Sequence, residues 1–238
     1  MVALRVALCQ LNPTAGDLEG NADGVISWMA EAAAKKAQLA VFPELAVSGY
    51  GAGDLFLRKR FFQEERAGLL RIVKASRQFP GLSVLVGCLD RMALDESSQG
   101  SGHCGSWPAW GDVANKELLN SAALISDGRI LSMAHKRHLP TYGIFDEMRW
   151  FREGNDAGVM AIAAPGGEAR VGVSICADLW WDDTLASQAL QGAQLFVNLS
   201  ASPYHAGKSV VRERLAGEGV VPPEVCAEIG RASCRERV

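Results

Sequence analysis

The sequence predicts a layered α/β fold with mixed β-sheets. Short apolar runs typical of strands alternate with longer stretches in which apolar residues recur at helical spacing. A β-hairpin interrupts this alternation, because Asp127-Gly128 separates two β-like runs and is a favoured two-residue turn. A length of 238 residues with 48% hydrophobic side chains suits one ordinary domain with a sizeable core.

Strands are predicted where apolar runs end at turn residues, and helices where apolar positions recur every three or four residues. The hairpin strands are residues 118–126 and 129–135. Residues 93–117 are rich in Ser, Gly and Asp and show no period, so they are predicted to form a long loop. The other predicted strands are 4–10, 39–42, 82–89, 170–175 and 195–199, and the predicted helices are 17–36, 61–79 and 179–190.

The chain end departs from this alternation. The apolar period fades from Pro222-Pro223, and the last nine residues, Gly-Arg-Ala-Ser-Cys-Arg-Glu-Arg-Val, resemble translated adapter sequence. We therefore predict one domain over residues 1–221 and a non-native or disordered tail over residues 222–238.

Charge and composition exclude several classes of partner. The net charge of −3 gives no basic surface for nucleic acid or an anionic membrane. No apolar run is long enough to span a bilayer, and no secretion signal is recognisable at the N-terminus. The six cysteines form neither a CxxC pair nor a regular framework, which favours reduced thiols in the cytoplasm.

Three reactive residues share one sequence setting. Glu44, Lys136 and Cys176 each follow an apolar β-like run, so each is expected near the carboxyl end of a strand. Ligands bind at that edge in layered α/β folds. If the three strands lie side by side, a carboxylate, an ammonium group and a thiol converge.

This combination suits acyl transfer. A thiol is mostly protonated at neutral pH, and a neighbouring carboxylate can take its proton. A lysine ammonium group can stabilise the negative charge that develops on an attacked carbonyl oxygen. Each residue also has an ordinary interpretation, namely an inert core cysteine, a helix N-terminal acid and a lysine in a solvated basic loop.

The flanking motifs resemble those of the nitrilase, or carbon–nitrogen hydrolase, superfamily. Within it the similarity is greatest to the glutaminase domain of glutamine-dependent NAD⁺ synthetases. The motifs that carry the resemblance span residues 4 to about 214. They are Ala-Leu-Cys-Gln-Leu-Asn-Pro-Thr-Ala-Gly-Asp-Leu at 7–18, Val-Phe-Pro-Glu-Leu at 41–45, Ser-Gly-Tyr at 48–50, His-Lys-Arg-His-Leu-Pro-Thr-Tyr-Gly-Ile-Phe-Asp-Glu at 135–147, Gly-Val-Ser-Ile-Cys-Ala-Asp-Leu-Trp at 172–180 and Asn-Leu-Ser-Ala-Ser-Pro-Tyr-His-Ala-Gly-Lys at 198–208.

The resemblance implies a nitrilase-type four-layer α-β-β-α sandwich with two mixed β-sheets. It implies Cys176 as the nucleophile, Glu44 as the proton acceptor and Lys136 as the oxyanion stabiliser, with Glu147 as a supporting carboxylate. The residues implied to line a pocket for L-glutamine are Tyr142, Ser202 and Lys208.

The resemblance also implies partners and cofactors. The glutaminase step needs no cofactor and no metal. ATP and deamido-NAD⁺ belong to a synthetase domain that would receive the ammonia, and a homo-oligomer is expected for the complete enzyme. The nucleotide loop of such a synthetase, Ser-Gly-Gly-x-Asp-Ser, does not occur in this sequence, so the domain at 1–221 is expected to be a C-terminally incomplete glutaminase part.

Two features of the sequence depart from the family pattern. Ala177 follows the cysteine where the family usually has an acid associated with the substrate's α-amino group, which predicts weaker glutamine binding. Residues 93–117 resemble an insertion. Two other functions therefore stay open: a free-standing amidase for another small amide, and an inactive fragment.

Overall fold

The computed structural model describes residues 3–92, 118–203, 206–208 and 210–211, and the backbone of residues 230–233. These residues form nine strands and three α-helices. The strands are β1 (Val6–Leu8), β2 (Leu39–Val41), β3 (Ser83–Arg91), β4 (Leu118–Ser126), β5 (Arg129–His135), β6 (Val159–Ala164), β7 (Gly167–Ile175), β8 (Leu195–Ser200) and β9 (Gly230–Ser233), and the helices are α1 (Leu18–Ala34), α2 (Lys59–Ser76) and α3 (Asp182–Leu190).

The strands form two mixed sheets. In the first, the order is β1-β2-β3-β4-β5. Strands β1, β2 and β3 are parallel, and β4 is antiparallel both to β3 and to β5. In the second, the order is β6-β7-β8-β9, and β6 is antiparallel to β7 whereas β7, β8 and β9 are parallel. The predicted mixture of parallel and antiparallel pairing is therefore confirmed.

Alternating side chains of the first sheet reach two different cores. In β3, Val84 and Val86 pack with Met29 of α1 and Ile72 of α2, so both helices cover the outer face. Leu85 points the other way, as the two-residue period of a strand requires. It joins the core between the sheets, which also contains Leu39, Val41, Ala122 and Leu124 from the first sheet and Met160, Ile162, Val171, Val173, Val197 and Leu199 from the second.

The fourth layer is α3, which covers the outer face of the second sheet. Its Leu185 packs with Leu179 and with Phe196 of β8. The order of layers is thus α1 and α2, first sheet, second sheet, α3, which confirms the predicted α-β-β-α sandwich. No helix among the described residues combines the length and the apolar character needed to cross a membrane.

The predicted elements agree with the structure except at a few places. The hairpin strands have the predicted bounds. The predictions contain no strand at β6, whose sequence Val-Met-Ala-Ile-Ala-Ala is half alanine and therefore has weak strand propensity. Residues 179–190, predicted as one helix, divide into the end of the 3₁₀-helix Cys176–Trp180 and α3.

Two predictions concern parts of the chain that the structure describes little or not at all. The loop predicted at 93–117 lies outside the described residues. Of the tail predicted at 222–238, only Gly230–Ser233 is described, as strand β9 beside β8. The domain limits stay a prediction.

Candidate active site

Glu44 lies in the loop that follows β2, and its carboxylate is completely buried. One oxygen, Oε1, accepts hydrogen bonds from Asn120 Nδ2 at 2.8 Å and from Lys136 Nζ at 2.7 Å. The other oxygen, Oε2, accepts from the backbone N–H of Ala201 at 3.0 Å. A buried carboxylate needs such partners because its desolvation is costly. They also fix the direction in which the side chain points.

A close approach of two backbone segments positions the Glu44 loop. The loop passes directly over Gly87 of β3, whose N–H donates to the carbonyl of Pro43 at 3.2 Å. A Cβ atom at residue 87 would lie 2.7 Å from the carbonyl carbon of Glu44 and still closer to backbone atoms of Pro43 and Leu45. Only glycine leaves room for this contact.

We therefore expect Gly87→Ala to destabilise the protein by about 2–4 kcal/mol, because backbone atoms cannot move aside as flexible side chains can. The displaced loop should also reduce hydrolytic activity, since Glu44 moves with it. Urea denaturation measures the first effect. Gly24→Ala in α1 is the matched control, because a Cβ at residue 24 would have no neighbour within 4 Å and should leave stability unchanged or raise it slightly. Equal stability of the two variants would contradict the expectation.

Lys136 directly follows β5 and is also completely buried. Its ammonium group donates to Glu44 Oε1 and to Glu147 Oε1, each at 2.7 Å. Glu147 opens the 3₁₀-helix Glu147–Arg149 and accepts a second hydrogen bond from the Tyr50 hydroxyl at 2.6 Å. Burial by itself opposes the charged lysine, but the carboxylates of Glu44 and Glu147 outweigh it and raise the pKa of Lys136. The ammonium group therefore stays charged.

Cys176 follows β7 at the start of a 3₁₀-helix and is 7% exposed. Its φ of 45° lies in the left-handed region, which is uncommon for a residue with a side chain and is often found at functional sites. Burial and the carboxylate of Glu44 raise the pKa of the thiol to about 12, against the opposing effect of Lys136. The resting group is therefore a neutral thiol that needs a base before it can attack.

The three residues come together across two sheets. In the first sheet, β3 and β4 separate the strand before Glu44 from the strand before Lys136, and Cys176 extends from the second sheet. The condition stated for their convergence, that the three strands lie side by side, is therefore not met. Cys176 nevertheless packs with Ala122 and Ala134 of the first sheet in the core between the sheets. The carboxyl ends of the parallel strands β2 and β5 and of β7 thus meet at one end of the sandwich.

A sequence model of carbon–nitrogen hydrolases matches residues 5–218. The chain belongs to the carbon–nitrogen hydrolase family. It is 39% identical over 215 residues to the glutamine-dependent NAD(+) synthetase of Thermotoga maritima, and 34% identical over 216 residues to that of Xanthomonas campestris. Each match covers 90% of this chain but 32% and 34% of the relative, so the chain spans about a third of the length of these curated relatives.

Two solved structures have the same fold as this chain. A glutamine-dependent NAD⁺ synthetase from Acinetobacter baumannii, in complex with ADP, superposes with a TM-score of 0.71 at 28% identity, covering 89% of this chain and 35% of that one. An amidase from Nesterenkonia superposes with a TM-score of 0.67 at 21% identity, covering 87% of this chain and 70% of that one. The second similarity shows the fold alone.

The residues that were predicted to bind glutamine in this carbon–nitrogen hydrolase occupy two places. Tyr142 is 66% exposed and lines a cavity of about 470 Å³ whose wall includes Ala177. Ser202 and Lys208 lie after β8, where the lysine ammonium group donates to the serine hydroxyl and, at 2.8 Å, to the carbonyl of Pro203. This second place adjoins Glu44, because Ala201 supplies one of the hydrogen bonds to that carboxylate.

Sequence reasoning did not single out three residues that organise the site. Asn120 and Tyr50 hold the two carboxylates, as described above. Asp178 accepts hydrogen bonds from the backbone N–H groups of Arg137 at 3.0 Å, His138 at 2.8 Å and Ile175 at 3.0 Å. It thereby joins the segment after Lys136 to the strand before Cys176. A polar residue inside an apolar strand, as Asn120 is, was the available signal, because a buried amide requires partners.

Metal ligation has no support in the described part of the chain, where no group of three or more His, Cys, Asp or Glu side chains could hold an ion. His135 instead bridges two carboxylates. Its Nδ1 lies 2.8 Å from Asp156 Oδ2 and its Nε2 lies 3.1 Å from Asp90 Oδ2. Hydrogen bonds to Asp156 and Asp90 raise the pKa of His135 to about 9, although burial opposes this.

This bridge predicts a pH dependence of stability. The folded pKa of His135 lies above the unfolded value of 6.5. The stabilisation that protonated His135 gives to the folded protein is therefore complete below pH 6.5 and is lost as the pH rises through about 9. We expect the free energy of unfolding to fall by about 1–2 kcal/mol over this window, after allowance for solvent screening of a half-buried group. Urea denaturation at a series of pH values measures it. His135→Gln should flatten the profile, and a variant profile as steep as the parent's would assign the effect elsewhere.

Proposed function

We propose that this chain hydrolyses the side-chain amide of L-glutamine through a thioester on Cys176. The observation that carries the proposal is the buried arrangement of Glu44, Lys136 and Glu147 beside a neutral thiol. A site of this kind supplies a base, a fixed positive charge and a nucleophile within one water-poor space. The similarity to proteins named glutamine-dependent NAD(+) synthetases favours glutamine as the amide.

In the first half-reaction the sulfur of Cys176 forms a bond to the amide carbon. The thiol proton passes to Glu44, and the negative charge on the carbonyl oxygen is stabilised by the ammonium group of Lys136. Glu44 then gives the proton to the leaving nitrogen as the C–N bond breaks. The products of this half-reaction are ammonia and a γ-glutamyl thioester.

In the second half-reaction water attacks the thioester. Glu44 accepts a proton from the water as the new C–O bond forms, and it passes this proton to the sulfur as the C–S bond breaks. Glutamate is released, and both the thiol and the Glu44 carboxylate are restored. In this proposal Glu147 holds Lys136 in place, and Tyr142, Ser202 and Lys208 contact the substrate. The step requires neither a metal nor a cofactor.

The complete pathway extends beyond this chain. We propose that residues 1–221 form a glutaminase part whose ammonia is used by a synthetase domain to amidate deamido-NAD⁺ with ATP, in an oligomeric cytoplasmic enzyme. The support is the length of the relatives, about three times the matched region.

The test is ammonia release from L-glutamine compared with simple primary amides such as propionamide. We expect kcat/KM to be at least about 100-fold higher for glutamine, because its additional polar groups contribute binding energy. A second candidate, an amidase for other small amides, is favoured by the apolar Ala177 beside the nucleophile. Turnover of propionamide without turnover of glutamine would select that candidate. A chain that shows no cooperative thermal transition would instead be an inactive fragment.

A further inference from the structure

One cavity is bounded by the two segments that follow the reactive residues. The segment after Lys136 contributes residues 138–142, and the segment after Cys176 contributes Ala177, Trp180 and Trp181. The cavity has a volume of about 470 Å³, which is ample for an amino acid. Because Ala177 of its wall directly follows Cys176 in the chain, we expect the part of a substrate remote from the reacting amide to lie in this cavity.

Glu153 is the carboxylate in the wall of this cavity. Its side chain is exposed, and no described residue forms a salt bridge or hydrogen bond with its carboxylate. The other ionisable groups of the wall differ from it. The imidazole of His138 lies 2.9 Å from Asp183 and stacks on Trp181 at 4.9 Å between ring centroids, so it is already engaged. Tyr142 offers a phenolic hydroxyl group and no carboxylate.

The backbone around Glu153 is fixed relative to Lys136. The N–H of Arg152 donates to the carbonyl of Leu118 at 2.9 Å, and the N–H of Gly154 donates to the carbonyl of Lys136 at 2.7 Å. Gly154 also packs closely on His135, the residue before Lys136. A Cβ atom at residue 154 would lie 2.7 Å from the carbonyl oxygen of His135. Glu153 is therefore held between two hydrogen-bonded neighbours, one of which is bonded to the buried lysine.

These observations bear on how glutamine would be recognised. Glutamine carries an α-ammonium group that loses water on binding and then needs an anionic partner. Ala177 offers only a methyl group. We infer that Glu153 binds the α-ammonium group of the substrate and makes the site selective for amides that carry one. This inference rests on the proposed glutaminase function and names a specificity-determining residue for it.

The experiment compares L-glutamine with 4-carbamoylbutanoate, which is glutamine without its α-amino group. Glu153→Gln removes the charge and keeps the size of the side chain. We expect KM for glutamine to rise about tenfold with kcat within about twofold, because the lost contact is present equally in the ground and transition states. KM for 4-carbamoylbutanoate should stay unchanged.

The matched control is Glu168→Gln, which makes the same change of net charge on an exposed residue. Glu168 lies at the start of β7, seven residues before its end at Ile175 and hence roughly 23 Å from it along the strand. A control variant that weakens glutamine binding as much as Glu153→Gln would overturn the inference, because the effect would then be one of net charge. An equal effect of Glu153→Gln on both substrates, or no effect, would also overturn it. If the parent enzyme releases no ammonia from glutamine, the proposed function itself is wrong. The assay of the parent enzyme therefore tests the proposed function, and the comparison with the variants tests the role of Glu153.

Discussion

Cys176→Ala is expected to reduce ammonia release from glutamine by at least about 10⁴-fold, because it removes the sulfur that forms the proposed thioester. An acid quench of the parent enzyme during turnover should trap a γ-glutamyl adduct, and peptide mass spectrometry should locate it on Cys176. The variant should form no adduct. Its stability should change little, since the substitution removes only one sulfur atom at the edge of the core.

The control for this result is Cys88→Ala. Cys88 is a completely buried thiol of β3, and burial raises its pKa well above the ordinary value. This variant should lose some stability but keep kcat within about twofold, because its sulfur serves packing. Ammonia release by Cys176→Ala at the parent rate would show that the nucleophile has been wrongly assigned.

Lys136→Met should have the largest effect on stability. The parent ammonium group lies between the carboxylates of Glu44 and Glu147 and contacts both. Methionine matches its length but leaves two buried carboxylates facing each other without a cation. Removal of one partner from a buried ionic group costs about 3–5 kcal/mol, which is a large part of the stability of an ordinary domain. Urea denaturation of parent and variant gives this difference.

A double-mutant cycle identifies the origin of the loss. If like-charge repulsion is the cause, Glu147→Gln should recover part of the stability of Lys136→Met but should destabilise the parent. Lowering the pH should also help the variant, because burial raises the pKa of Glu147 and this carboxylate gains stability when it binds a proton. A loss below about 1 kcal/mol for Lys136→Met would mean that the buried charges are not coupled as the structure indicates.

Sequence reasoning proposed Glu44, Lys136 and Cys176 as the reactive residues because each follows an apolar run and their flanking motifs resemble those of carbon–nitrogen hydrolases. These local patterns do not depend on tertiary structure. The same reasoning placed the hairpin correctly because Asp127-Gly128 fixes the turn between the two strands. It could not assign strands to sheets, because apolar strands buried on both faces look alike whichever sheet they join. For this reason the meeting of Glu44 with Cys176 across the sandwich was not predicted.

The supporting contacts could not be predicted from the sequence either. Asn120 and Tyr50 are far from Glu44 and Glu147 along the chain, and only the folded arrangement shows which carboxylate each one holds. Glu153 gave no local signal at all, because an exposed acid in a loop is ordinary. Glu153 becomes a candidate for substrate binding only because two segments distant in sequence form a cavity beside it.

The raised pKa of the Cys176 thiol has a consequence for how the protein withstands oxidants. With a pKa raised to about 12 the thiol is almost entirely protonated at pH 7. Peroxides and alkylating reagents attack the thiolate form, and the 7% exposure of the residue restricts their access further. In the proposed mechanism the thiol loses its proton to Glu44 only when an amide is bound. We therefore expect the resting protein to tolerate an oxidising episode that would inactivate an enzyme whose cysteine is held as a thiolate.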